Sequence, residues 1–266
     1  MNETLTRTFS GILYILILIS ASLFSTSFYF LFGVFLVISV IEFCQLVKLQ
    51  PLVPVCISVL LYIGMSYFTL YKSFELIALF FTLFVAVKAM LFLFENNTKP
   101  VNAISKYLYL IGYIIFPMVF ITKLPFVENS FQPKIIISIF ILIWTNDTMA
   151  FVVGKSIGKV KLFERISPKK TVEGFIGGLV FAVVTSIAIA LHFMYQPLFY
   201  WILIALIVAI FGTIGDLVES KFKRVAAVKD SGKIMPGHGG ILDRFDSVLF
   251  VGPFVFLFYQ ILNYVS

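Results

Sequence analysis

The chain has 266 residues, of which 61% are hydrophobic and 12% charged, against roughly 25% charged in an average soluble domain. That balance excludes a soluble globular domain, and recurring apolar runs near 20 residues match the ~20 helical residues that cross a ~30 Å hydrocarbon layer. A net charge of +7 calls for an anionic partner, a lipid headgroup or a nucleotide, at the membrane surface.

In chain order, membrane helices are expected at roughly 9–25, 28–46, 52–71, 74–94, 102–122, 134–153, 173–195, 198–219 and 247–265. The fold class is therefore all-α, a polytopic integral membrane protein with about nine spans. The first run, after Arg7, has the basic start and small residues of a secretory signal, but the next run follows almost at once, and the pair reads as a helical hairpin. Pro51, Pro100, Pro133 and Pro197 sit beside the proposed boundaries, where a missing N–H does least damage. Cys44 and Cys56 fall in or beside apolar runs and suggest no disulfide framework. Spans 1 to 5, residues 1–130, form an N-terminal membrane region. Residues 131–266, with spans 6 to 9 and two basic loops, form the region that carries the chemistry.

Basic residues in short loops set the orientation. Arg7, Lys48, Lys99, the six from Lys155 to Lys170 and the six from Lys221 to Arg244 fall on one side, and Lys72, Lys123 and Lys134 on the other. The first side is expected to be cytosolic, with the N-terminus inside and both polar loops facing the cytosol.

Charged residues within spans narrow the function. Asp147, inside the sixth span, is expensive in a bilayer unless it faces a cavity, partner or ion; the alternative is a helix-pairing role with Asn146 or Thr148. Glu42 and Lys88, near the cytosolic ends of the second and fourth spans, read as structural groups that pair or snorkel. Asp216 ends the eighth span, and a continuing helix puts Ser220, Lys223 and Arg224 at i+4, i+7 and i+8, one face with a carboxylate, a hydroxyl and two cations. Such a stripe suits a divalent ion and the phosphates it polarises, or else it is a solvated helix end.

Gly237, His238, Gly239 and Gly240 stand before a helix expected to start near Leu242. Glycines and a helix N-terminus together suggest a phosphate cradle. Asp243 and Asp246, three residues apart, share a helical face and offer hard oxygen ligands for Mg²⁺, while His238 could donate to a phosphate. In the other loop Ser167, Lys169, Lys170 and Thr171 lie directly before a span and read as a second anion site, with Gly174 and Gly178 fitting close helix packing. His192 reads as interfacial.

The stretch SKFKRVAAVKDSGKIMPGHGGILDRFD, Ser220 to Asp246, resembles the signature of phosphatidate cytidylyltransferases, or CDP-diacylglycerol synthases, almost position for position. NDTMAFVVGKSIGK and ISPKKTVEGFIGG look like that family's other shared blocks. Resemblance is strong over about residues 140–250; the first 130 residues match only as a succession of apolar spans. Phe151 stands where Tyr is common and Val172 where Trp is frequent, and neither carries the chemistry.

What the resemblance implies is transfer of a cytidylyl group from CTP to phosphatidate, giving CDP-diacylglycerol and pyrophosphate, at a bacterial inner membrane. It implies Mg²⁺, with a second cation left open, held by Asp216 and Asp243, with Asp246 and Asp147 as further ligands or supports. Ser220, Lys223, Arg224, Lys229 and Arg244 would hold phosphates, as would Ser167, Lys169, Lys170 and Thr171; which loop takes CTP stays open. A homodimer is compatible with the family, and no nucleic-acid partner is expected. The rival readings are an ether-lipid cytidylyltransferase, a polyprenol kinase, and an ion-coupled transporter. The last would place its charges near the midplane and show repeated broken helices.

Overall fold

In a computed structural model, which describes residues 3–67, 72–95, 101–127, 130–194 and 197–265, the apolar runs are helices. They are α1 (Glu3–Ser22), α2 (Ser25–Val47), α3 (Leu52–Tyr67) and α4 (Lys72–Phe94), then α5 (Ala103–Tyr109), a π-helical turn (Leu110–Ile115) and α6 (Phe116–Lys123), which form one rod. They continue as α7 (Pro133–Ile157), α8 (Val172–Ile189, running on as π-helix to Met194), α9 (Leu198–Val225) and α10 (Leu242–Val265). Seven of these rods are long and apolar enough to cross a membrane. The apolar parts of α1 and α3, Thr8–Ser22 and Leu52–Ser66, are about 22 Å long at 1.5 Å per residue. Each therefore falls short of a ~30 Å hydrocarbon core. The chain is an integral membrane protein of all-α type.

Boundaries follow the local chemistry. Asn102 caps α5 by accepting the Ser105 N–H at 2.8 Å, Pro133 begins α7, where it forfeits no helical bond, and Lys48 ends α2 with a left-handed φ of 55°. Lys99 and Pro100, used above for orientation and for a boundary, lie outside the described residues. Both charge-bearing helices run beyond their expected spans, as the continuing helix past Asp216 and the start near Leu242 required: α9 reaches Val225, and α10 begins at Leu242.

The segment 158–171, expected as a basic loop that carries an anion site, forms an antiparallel hairpin, β3 (Lys161–Phe163) with β4 (Ser167–Thr171), pairing Lys161 with Thr171 and Phe163 with Ser167. Lysines at strand positions gave no alternating pattern to reveal it. A smaller hairpin, β1 (Phe126–Val127) with β2 (Ser130–Phe131), joins α6 to α7.

Phenylalanine fills the core. Phe32 of α2 packs edge-on against Phe245 of α10 with centroids 5.6 Å apart and lies stacked 6.2 Å from Phe140 of α7. Phe222 of α9 sits among Phe43, Phe92, Tyr109 and Tyr113. Large apolar side chains such as Phe30, Phe80, Leu91 and Phe199 point outward, as a lipid-facing surface requires.

The helices α7 and α8 approach through small residues. A Cβ at Gly174 would stand 2.6 Å from the Ala150 carbonyl oxygen, and one at Gly178 2.7 Å from that of Asn146, so both serve close packing as expected. Gly178→Val should destabilise the protein by about 1–3 kcal/mol, the usual range for overpacking, whereas Gly64→Ala, where a Cβ would meet nothing within 4 Å, should not lower it. Thermal melting in detergent checks both.

Candidate active site

One end of the bundle gathers the polar chemistry. Hydrogen bonds tie the ends of α2, α4, α9 and α10 and the β3–β4 hairpin to one another there. Lys123 and Lys134 lie at the other end, paired with Glu75 and with the Phe193 carbonyl. Between α7, α8, α9, α10 and the hairpin lies a cavity of about 870 Å³, reached also by Tyr14 of α1. Five carboxylates and six Lys or Arg line it.

Asp147, Asp216 and Asp246 come to this cavity from three different helices. Asn146, the preceding residue on α7, donates to Asp147 at 3.2 Å, a bond within one helix, and the carboxylate lines the cavity. Ser220, one turn along α9, donates to Asp216 at 3.3 Å, and Lys170 forms an ion pair with Asp216. Asp246 accepts the N–H of Ser247 at 2.7 Å.

On the hairpin side, Thr171 is the N-cap of α8, its hydroxyl accepting the Gly174 N–H at 3.1 Å. That cap fixes where β4 ends and so holds Lys169 and Lys170 at the cavity wall. Glu173 in turn accepts the Val160 N–H and anchors the hairpin's first strand. Ser167 pairs within the hairpin and does not line the cavity.

Asp243 is a hub. Its Oδ1 accepts from Lys223 at 2.7 Å, and its Oδ2 accepts from the Ser231 N–H and hydroxyl, both at 2.9 Å, and from the Gly240 N–H at 2.8 Å. Lys223 also pairs with Glu219, one turn before it. Above the hub, Gly237 and Gly239 take φ of 77° and 89°, a left-handed backbone that glycine adopts without strain. Met235 and Gly239 exchange backbone hydrogen bonds, and His238 donates its N–H to Met235 as well.

These bonds change the reading of the glycine loop. The N–H groups of His238, Gly239 and Gly240 are used within the protein, and those of Ile241 and Leu242 donate to Glu42 of α2 at 3.2 and 2.8 Å. The loop and the α10 N-terminus thus present side chains to the cavity: His238, bonded to Ser10 at 2.8 Å, and Arg244, whose guanidinium donates to the His238 carbonyl at 3.0 Å. Glu42 is structural, as expected, but as a cap. Lys88 is bonded to Ser105 instead.

Two of the predicted phosphate-binding cations do not line this cavity. Arg224 reaches the Ile166 carbonyl at 3.3 Å, bracing the hairpin, and Lys229 lines a second cavity. Sequence reasoning did not single out Lys155, Lys161, Tyr14 or Thr213 as cavity-lining, nor the buried Glu219. Only Glu219 carried a signal, its i, i+4 spacing to Lys223.

Among the described residues no three carboxylate, imidazole or thiol groups converge closely enough to hold an ion by themselves. Mg²⁺ commonly uses one or two carboxylates, with waters and substrate phosphates completing its octahedron. The Asp147, Asp216 and Asp246 oxygens fit that chemistry, and so does Asp243 Oδ1, which accepts from Lys223, whereas Asp243 Oδ2 already takes three donors.

The α10 cap yields a prediction. Glu42→Ala should destabilise the protein by about 1–2 kcal/mol, the range for losing a cap, and Glu42→Gln by less, since its carbonyl still accepts. Paired melting curves would read the order.

A sequence model described as "Cytidylyltransferase family" matches residues 5–262. A protein named phosphatidate cytidylyltransferase from Bacillus subtilis (strain 168) is 56% identical over 117 residues, 44% of this chain and 44% of that protein. One of the same name from Staphylococcus aureus (strain COL) is 54% identical over 116 residues, 43% of this chain and 44% of its own length. The matched stretch therefore spans less than half the length of these relatives.

Proposed function

The chain belongs to the cytidylyltransferase family, and from that premise we propose that it transfers a cytidylyl group from CTP to phosphatidate, giving CDP-diacylglycerol and pyrophosphate. The observation that carries this reading is one cavity in which Asp147, Asp216 and Asp246 meet Lys155, Lys169, Lys170, Lys223 and Arg244. Two polyanions must approach each other in this reaction, and such a mixed wall can accept both.

A phosphate oxygen of phosphatidate attacks the α-phosphorus of CTP. The new P–O bond forms as the bond to the pyrophosphate oxygen breaks, so charge moves onto the leaving group. The attacking phosphomonoester is largely dianionic near neutral pH, its second pKa being about 6, and needs no strong base. Alignment and charge stabilisation are what the protein supplies. Lys169 and Lys170, held at the wall by the Thr171 cap, bind phosphate oxygens. Lys223, fixed between Glu219 and Asp243, and Arg244, braced on the His238 carbonyl, do so from α9 and α10. Ser220 orients Asp216, and Asp243 keeps Lys223 and the loop from Ser231 to Gly240 in place. One or two of the Asp147, Asp216, Asp243 and Asp246 carboxylates, with water and substrate phosphates, would hold Mg²⁺, which would supply neutralisation of phosphate charge. A homodimer and a position in a bacterial inner membrane with this end cytosolic belong to the same proposal.

Purified full-length protein given CTP, phosphatidate and Mg²⁺ should release pyrophosphate and CDP-lipid in equal amounts; no CDP-lipid product would defeat the reading. Asp216→Asn should lower turnover at least 100-fold, about 2.7 kcal/mol, with an unchanged melting temperature. CTP affinity, read by calorimetry, should fall about tenfold or more, about 1.4 kcal/mol, when EDTA replaces Mg²⁺. Cysteines at the exposed Lys159 and Lys233, in a background free of Cys44 and Cys56, should react with an impermeant thiol reagent only from the cytosolic side. Labelling from outside intact cells would reverse the orientation.

A further inference from the structure

A second cavity, about 940 Å³, opens between the end of α2 and residues 226–234. Its walls combine two chemistries: Ile38 and Ile41 of α2 with Val228 and Ile234, and the ammonium groups of Lys48, Lys229 and Lys233. Lys106 adds a fourth cation nearby, its Nζ standing 3.4 Å from the Lys48 carbonyl. The one acid buried in this wall, Glu42, is committed to the α10 amides. Ile234 is 55% exposed and Val228 40% exposed although they flank lysines in a polar segment. Apolar tips beside lysines with long stems are suited to the membrane interface, where the tips enter the acyl region and the ammonium groups stay at headgroup level.

We propose that this cavity binds one anionic phospholipid of the surrounding bilayer, its phosphate held by Lys48, Lys229 and Lys233 and the start of its acyl chains lying along Ile38, Ile41 and Ile234. A soluble phosphate ester would satisfy the lysines but leave the isoleucine wall unused. The site is separate from the reaction proposed above and does not rest on it. Its position also matters for that reaction. Asp230 lines both cavities, and the next residue, Ser231, bonds both Glu42 and Asp243. A lipid seated on this segment orders the loop that holds Asp243.

The test is photocrosslinking of full-length detergent-solubilised protein with phosphatidylglycerol carrying a diazirine near the carbonyl end of one acyl chain, with peptide mapping by mass spectrometry. Crosslinks are expected on residues 38–48 and 226–234. Unlabelled phosphatidylglycerol should compete them away, and neither phosphatidylcholine nor glycerol 3-phosphate at the same concentration should do so. K48Q/K233Q, two exposed positions, should reduce labelling of those peptides about tenfold or more, each lost cation weakening anion binding, while the melting temperature in detergent stays as in the wild type. Ile234→Ser should reduce it too. Equal labelling of K48Q/K233Q, equal competition by phosphatidylcholine, or full competition by glycerol 3-phosphate would each overturn the proposal. The second of these marks an unspecific apolar surface and the third a site for soluble phosphate.

Discussion

The carboxylate of Glu42 meets the first amides of α10, a contact between residues some 200 positions apart in the chain. A helix begins with N–H groups that have no partner inside it, and at a membrane surface those groups must be satisfied or left to water. Here a neighbouring helix supplies the acceptor. Gly232 and Gly240 are required by the same contact, because a Cβ at either would collide with the Glu42 side chain. Once α10 is pinned at Leu242, the direction of its first turn is fixed, and Asp243 and Asp246 follow by helical geometry. Asp243 turns to Lys223 and the glycine loop, and Asp246 turns to the cavity.

Charge balance at the cavity extends that constraint. Opposite charges taken from water are tolerated when they pair and their remaining hydrogen-bonding positions are filled. Asp243 comes nearer to that condition, with Lys223, Ser231 and Gly240 around it. Asp216 meets it partly, through Lys170 and Ser220, and Lys170 lines the cavity where a phosphate would arrive. An incoming polyanion can therefore draw Lys170 toward itself without dismantling the scaffold, since the bonds that hold α2, α9 and α10 together run through Glu42, Lys223 and Asp243. One acid–base pair adapts and the other holds still, which is the division a preorganised site needs.

Much of this was legible in sequence because it rests on local cost. Apolar runs of span length have one low-energy outcome in lipid, so the helices lay close to where the hydropathy put them. Asp147 stood out because an ionised group in a span needs a reason, Asp216 because of its stripe with Ser220, Lys223 and Arg224, and Asp246 because of its spacing from Asp243, and the structure brings all three to one cavity. What the sequence did not reveal depends on partners far away along the chain. The β3–β4 hairpin is concealed by its lysines, and the glycine loop resembles an open cradle until Glu42, Met235 and Asp243 are seen to take its donors. Lys229 belongs to the same run as Lys223, yet the chain turns after Val225 and carries it to the other side of the loop.

Basic residues posed the hardest problem, because helix C-termini compete with phosphates for them. The last carbonyls of a helix carry partial negative charge and accept from Lys and Arg. At the end of α4, Arg165 donates to the Leu93 and Glu95 carbonyls and Lys221 to that of Glu95, while Arg224 serves the Ile166 carbonyl in the hairpin. A count of cations on one side therefore indicates topology and overstates the number available to a substrate. Lys169, Lys170, Lys223 and Arg244 line the first cavity, and Lys48, Lys229 and Lys233 the second. The separation follows from position: a cation within reach of an orphan carbonyl is drawn to it, and one on a capped strand or along a helix flank stays directed at the space between the helices.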